Sequence, residues 1–335
     1  MKTIHEAFDR VANCMRACAY AGVAIPAEVW HAYVDVTRML AGDFKEEDHP
    51  RSDDGKFGSG GGAKDESGPG KGTTHKDFRD SKVVVGDEKF FAKAQAHFSK
   101  MFKSELSPDT LRELVGVEGM FEGSEVEYTL KPYGADGIDY TAAVFKDGKE
   151  IATIRRQIST SYENGLNGAP VVHHDLMVIA EEYQASGQGT ALFSKQVELY
   201  QKMGVAMIDT DAAWVGQYQW PRLGYELQES KDLEPIKEDF AKFMKAKGQT
   251  DSDVAKALAK VKSLHDLANT TVKSNTVPPE LGETKPPVTV KFGKLFLIDR
   301  GKREDKSTIP LKFDLRKGSK SVKILDKVIV KKAAK

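Results

Sequence analysis

Apolar positions along this chain change period several times, and each change marks an element. Residues 124–132, 138–146 and 150–159 alternate in the manner of half-buried strands, with turns at Gly134 to Gly137 and at Asp147-Gly148. Before them, Phe91, Ala94, Phe98, Met101 and Phe102 recur at helical spacing. Ser107-Pro108 caps a second helix with Leu111, Leu114 and Val115 inside it. Val171-Val172-His173-His174-Asp175-Leu176-Met177-Val178-Ile179 reads as a buried strand. It is followed by a glycine-bearing turn, then by Leu192, Val197, Leu199, Tyr200 and Met203 at helical spacing up to Gly204. A short strand from Val205 to Thr210 comes next, then a helix from Trp214 that closes on Gly224-Tyr225. Val83-Val84-Val85 is a candidate first strand.

The flanks differ from this centre. Residues 1–44 predict two short helices, one with Phe8, Val11, Ala12 and Met15, the other opened by Pro26 and carrying Trp30, Tyr33, Val34 and Leu40. Residues 45–80 are rich in Gly, Ser, Asp and Lys and predict a flexible linker. Residues 232–270 return to helical spacing through Ile236, Phe240, Phe243, Val254, Leu258, Val261, Leu264 and Leu267. Residues 286–330 turn β-like at 288–290, at 295–298 and from Ile324 to Val330. The expected organisation is a helical docking region at 1–44, a linker at 45–80, a main domain at 81–230 and a C-terminal α/β appendage at 231–335.

Composition narrows the class. With 335 residues and 40% apolar content, the chain supports at least one sizeable core. Its 50 basic and 50 acidic residues cancel, so no global field draws it to nucleic acid or to an anionic membrane. Lysines cluster from Lys317 to Lys335, a pattern read as solvated edge positions rather than a nucleic-acid contact. Two cysteines, Cys14 and Cys18, are too few for a disulfide framework or a zinc site, and they suit a reducing cytoplasm. His5, Glu6, Asp9 and Arg10 interrupt any signal sequence, and no apolar run reaches bilayer length.

The chemistry concentrates at Gln184-Ala185-Ser186-Gly187-Gln188-Gly189-Thr190. A strand, a Gly-rich turn and a helix in that order present free N–H groups to an anion, here a pyrophosphate. The third glycine of a dinucleotide fingerprint is missing, and no lysine precedes Thr190 as a P-loop needs. Gly70-Lys71-Gly72-Thr73 fails the P-loop pattern as well.

What remains, Gln-x-x-Gly-x-Gly, resembles the coenzyme A signature of the GNAT superfamily of N-acetyltransferases. The resemblance spans residues 171–227, through the following strand, the helix at 214–222 and the Gly224-Tyr225 turn. It implies an α/β fold of the acyl-CoA N-acyltransferase type, with a mixed, partly antiparallel sheet, flanking helices and an opening where coenzyme A enters. It further implies acetyl-CoA as cofactor and an amine acceptor, either a small molecule or a protein lysine. Backbone near Met177 and Val178 would meet the pantetheine arm, and residues 184–190 the pyrophosphate.

For the base, the candidates are His173 and Asp175, which share one face of their strand, or an ordered water. Neighbours such as His173 and His174 point to opposite faces and cannot chelate together, so no metal is expected. The family often carries a tyrosine acid four residues before the glycine of the Gly-aromatic turn, and Trp220 stands there. Tyr218 is the nearest tyrosine and the candidate acid, although a helix turns it to another face. The stretch 48–60 looks like linkers of tailed-bacteriophage proteins. That leaves a competing reading, a virion- or head-associated protein with a non-catalytic scaffold, and a phage or host partner for residues 1–44.

Overall fold

The computed structural model describes residues 73–161, 166–184, 187–274, 288–303, 306 and 308–333. The helices expected over 1–44, the linker up to residue 72 and the phage-like stretch lie outside them. The end of the expected linker is helix: α1 (His75–Asp80) starts at a capping box between Thr74 and Asp77. Fully buried Phe78 holds it, its ring 5.2 Å from that of Phe91. One aromatic residue and one cap suffice to order a segment whose composition reads as linker.

Then follow β1 (Val83–Val85), α2 (Glu88–Phe102), α3 (Pro108–Val115), β2 (Glu125–Tyr133), β3 (Gly137–Lys146), β4 (Lys149–Ser161) and β5 (Ala169–Ile179). After the loop come α4 (Gln188–Lys202), β6 (Met207–Ala213), α5 (Gly216–Arg222) and β7 (Glu226–Leu227). The chain continues through α6 (Leu233–Ala246), α7 (Asp251–Leu258), α8 (Leu264–Ala268), β8 (Val272–Ser274), β9 (Val288–Val290), α9 (Phe292–Gly301), β10 (Thr308–Asp314) and α10 (Lys320–Ala333). This is a mixed α/β fold. Eight strands run in the order β1-β2-β3-β4-β5-β6-β10-β7, while β8 and β9 form a separate pair. β1 pairs with β2 and β5 with β6 in parallel; the other contacts of the large sheet are antiparallel.

Register explains which face is core. Ile138, Ile158, Val172, Ile208 and Phe313 are direct partners across five strands, and each is 0% exposed. The helices with apolar faces lie on this side: the Phe193 ring of α4 sits 5.2 Å from that of Phe313. One residue further along each strand the register runs Lys131, Asp139, Gln157, His173, Asp209, Lys312 and Glu226. That row lies on the opposite face, because successive side chains alternate.

The C-terminal reading requires correction. β10 is no appendage, since it lies between β6 and β7 inside the large sheet. Residues 295–298, which look like a strand, belong to α9, where Phe292, Phe296, Leu297 and Arg300 bury one helical face. Ile324 to Val330 likewise lie in α10. Short apolar runs fit either period, and here the partner elements decide. Gly224 shows how closely the end of the chain docks: its φ is +107°, and a Cβ there would lie 2.5 Å from the Ser321 carbonyl oxygen.

A chain ending at residue 303 should therefore fail to give a soluble, cooperatively folding protein, because β6 and β7 lose their shared partner. In the full chain, Phe313→Ala should cost about 3–5 kcal/mol in a denaturant titration. A soluble truncated fragment with native circular dichroism would show β10 to be dispensable.

Candidate functional site

β5 and β6 are partners at Val171–Met207, Val172–Ile208 and His173–Asp209, and the parallel ladder stops there. β5 continues to Ile179 and β6 to Ala213, so the strands part and leave an open edge. Two features set the parting point. Thr210 donates its hydroxyl to the His174 carbonyl at 2.8 Å, where a ladder N–H would otherwise bond. On the other side of β5 a bulge shifts the β4 register, with Arg156 opposite His174 but Arg155 opposite Leu176, so that Asp175 is the extra residue.

The loop after β5 leads to α4. Gly187 is its N-cap at φ +88°, a conformation that side-chain-bearing residues rarely take. Its carbonyl accepts from the N–H groups of Thr190 and Ala191. Among the described residues none accepts from the N–H of Gln188 or Gly189, and both lie at the positive end of the helix dipole. The two glutamine side chains are used elsewhere. Gln184 donates to the Ile179 carbonyl at 2.7 Å, and Gln188 to the Met120 carbonyl at 3.0 Å. They shape the loop and leave anion contact to backbone. Ala185 and Ser186 lie outside the described residues. Met177 points towards α4, its Cε 3.1 Å from where a Cβ on Gly189 would sit. Val178 partners Thr153, facing the opposite side.

The polar face beside the parting strands carries a charged cluster. His173 Nδ1 lies 2.8 Å from Asp209 Oδ1, and His173 Nε2 lies 4.0 Å from Asp175 Oδ1. Arg155 bridges Asp175 at 3.1 Å and Asp139 at 2.6 Å, and Gln157 donates to Asp139 at 3.2 Å. His173 is about a third exposed, at 32% of its side chain. Its pKa is raised above the usual histidine value, first by the hydrogen bond to Asp209; the charges of Asp209, Asp175 and Asp211 add to this, and partial burial opposes it. Among the described residues, no three His, Cys, Asp or Glu side chains gather as a metal site.

His174 behaves in the opposite way. It faces the core, 3% exposed, and burial together with the Arg156 charge holds its pKa well below the usual value. Tyr225 hydroxyl lies 3.3 Å from its Nδ1.

Of the residues expected from sequence, His173 and Asp175 come together at the parting strands, and Met177 with Gly187 to Thr190 forms the adjoining loop and helix start. Tyr218 is not with them. It is buried on α5 with the Arg222 guanidinium 5.1 Å and the Lys294 ammonium 5.9 Å from its ring, whereas Trp220 sits 6.1 Å from His174. Two residues on a helix differ by about 200° in direction. Asp209, Arg155 and Asp139 were missed. Alternating acids in Asp209-Thr210-Asp211 within an apolar strand were the available signal. A surface depression of about 470 Å³ beside Lys256, His265 and Thr271 is built by α7, α8 and β8, elements away from the parting strands.

No protein-family model matches the chain, and no curated protein does. Among solved structures, a Drosophila melanogaster polyamine N-acetyltransferase aligns at 13% identity and TM-score 0.22, over 27% of this chain and 59% of that one. The chain thus spans under two thirds of that relative's length. An N-acetylglutamate synthase from Neisseria gonorrhoeae, complexed with coenzyme A and N-acetylglutamate, aligns at 13% identity and TM-score 0.21, over 28% of this chain and 20% of that one. An aminoglycoside acetyltransferase from an uncultured soil metagenomic sample aligns at 14% identity and TM-score 0.20, over 38% and 72%. Scores at this level do not establish a shared fold, and the functional reading rests on the geometry of the chain itself.

The His173 imidazole should titrate above the ordinary value of about 6.5 in a two-dimensional NMR titration. Asp209→Asn should bring it back towards that value. The sign for stability follows: a raised folded-state pKa stabilises fully below about pH 6.5, and that contribution fades as pH rises through the folded value. Asp209→Asn should flatten this part of the stability–pH curve. An unchanged His173 titration in the variant would remove Asp209 as the cause.

Proposed function

We propose that the chain is an N-acyltransferase that uses acetyl-coenzyme A and accepts an amine. The observation that carries this reading is the parting of β5 from β6 directly between an anion-ready helix start and a histidine–carboxylate cluster. The groups present fit coenzyme A: the N–H groups of Gln188 and Gly189, which no described residue accepts from, suit a pyrophosphate, and the open β5 edge at Met177 and Val178 suits an amide-bearing pantetheine arm. When bound, the coenzyme supplies the activated acetyl thioester.

The chain's own residues do the rest. Asp209 holds the His173 ring through Nδ1, leaving Nε2 to receive a proton from an incoming ammonium. Asp175 and Asp211 add negative potential that favours a cationic acceptor. Because these acids also keep His173 partly protonated, activity rises as pH passes through its raised pKa. Arg155 fixes Asp175 at the bulge and tempers the acid charge. The family whose motif the loop resembles, GNAT, agrees with this assignment of roles.

A second reading has one observation in its favour. Trp220 fills the position where the resemblance expects a tyrosine, and its partly buried ring packs against the core, 5.2 Å from that of Tyr225. That suits a coenzyme A-binding module without turnover, such as a scaffold. Among the described residues no helix is long and apolar enough to cross a membrane.

Calorimetry should show coenzyme A binding with a Kd below a millimolar, lost in Gly187→Glu, which strains the φ +88° cap and sets a negative charge beside phosphate. Thiol release from acetyl-CoA in the presence of polyamines, aminoglycosides or lysine peptides then separates the readings. Binding without release selects the module; no binding at millimolar coenzyme removes both.

A further inference from the structure

Arg156 is 0% exposed, and among the described residues no carboxylate pairs with it. Its neighbour Arg155, on the opposite face of β4, has Asp139 and Asp175. A guanidinium does not shed its proton in a protein, so Arg156 is a charge held inside the core. Nη1 donates to the carbonyls of Arg155 at 2.9 Å and Leu176 at 2.7 Å, and Nε finds no acceptor. Around it stand the buried hydroxyls of Tyr140, Tyr200 and Tyr225, and His174, none of them a counter-charge.

Packing alone does not call for this residue. Ile154 and Ile158, its neighbours on the same face of β4, are ordinary core side chains, and methionine would fill similar volume without burying a charge. Direction is the informative feature. The guanidinium runs along β5 towards its open end, with Nη2 3.9 Å from Met177 Sδ. Met177 in turn packs its Cε against Gly189, in the first turn of α4. The buried cation and the positive end of the helix therefore meet the same methionine, one at Sδ and the other at Cε.

We propose that Arg156 is a fixed buried charge that sets the affinity of the α4 start for a phosphate-bearing ligand without touching it. The ligand provides the counter-charge that the fold leaves out. Its orphaned Nε and full burial distinguish this arrangement from a helix end with surface lysines, whose contribution salt would screen. The proposal rests on the coenzyme reading for the identity of the ligand, not for the existence of the anion site.

The test uses the full chain with Arg156→Met, Arg156→Gln and Arg156→Lys, titrated with coenzyme A, with pantetheine, which lacks the phosphates, and with inorganic pyrophosphate. Arg156→Met should keep or raise the ligand-free melting temperature, weaken coenzyme A binding by 30-fold or more on the order expected for a lost desolvated charge interaction, and leave pantetheine binding within about twofold. Arg156→Lys should retain most of the affinity. Should Arg156→Met not fold, Arg156→Gln carries the same comparison. Equal loss for coenzyme A and pantetheine would overturn the proposal, because it would mark Arg156 as a support for β5 only. Unchanged coenzyme A affinity in the neutral variants would overturn it too. If the unaltered protein binds no coenzyme A, the coenzyme reading falls, and pyrophosphate decides the charge: binding lost in Arg156→Met sustains the proposal, and absence of binding ends it.

Discussion

Period-two alternation carried in register across the central strands fixes what each side of this sheet can do. Ile138, Ile158, Val172, Ile208 and Phe313 form one continuous buried row, and the adjacent residue of each strand supplies Asp139, His173 and Asp209 or, on the antiparallel β4 and β10, Gln157 and Lys312. A one-residue slip in any strand would exchange the two rows locally, burying a charge and exposing an apolar side chain. The penalty couples the register of β10, far along the chain, to the position of Asp209 beside His173. Core and site are thus specified by the same alignment. A substitution that disturbs Phe313 also disturbs the strand that presents Asp209.

This coupling explains which parts of the molecule could be read in advance. β2 to β5, α4, β6 and α5 follow one another closely, and local period and turn residues locate them. The place of β10 cannot be read that way, because its partners in β6 and β7 were laid down about 80 to 100 residues earlier and nothing local in Thr308–Asp314 names them. The same holds for 295–298, where Leu295, Phe296, Leu297 and Ile298 satisfy either period until α6 provides Phe240 and Phe243 as neighbours for Phe296. Within the site, His173 and Asp175 were legible from alternation. Their distance was not, because the bulge adds a residue after the alternation has been counted. The tertiary partners of Gln184 and Gln188 were not legible either: a loop glutamine reads as a free polar group until the carbonyls of Ile179 and Met120 claim it. Tyr218 shows that nearness in sequence on a helix says little about facing.

The two adjacent arginines of β4 show how one strand treats the same charge in two ways. Arg155 stands between the buried Asp139 and the partly exposed Asp175, with 27% of its own side chain exposed, so solvent screens its pair with Asp175 more than its pair with Asp139. Arg156 looks into the core, where burial makes its field reach further and its lack of a partner matter more. Both touch the bulge. Arg155 grips the Asp175 carboxylate, and Arg156 donates to the Leu176 carbonyl one residue on. The irregular turn of backbone that ends the regular alternation of β5 is therefore clamped from both faces of the sheet.

That clamp bears on why the gap between β5 and β6 persists. A parallel pair would normally continue, since each further residue adds backbone hydrogen bonds and unpaired edges invite association. Here the bulge redirects β5 while Thr210 takes up the His174 carbonyl with its side chain, so the next rung has no partner to form with. The open edge is short, at most the residues from Asp175 to Ile179, and Gln184 already caps the Ile179 carbonyl. Too few groups remain to recruit another strand, yet enough remain to hold an extended, amide-bearing ligand. Two independent devices thus keep this edge open, next to the positive start of α4 and the row of titratable side chains that His173 and Asp209 share.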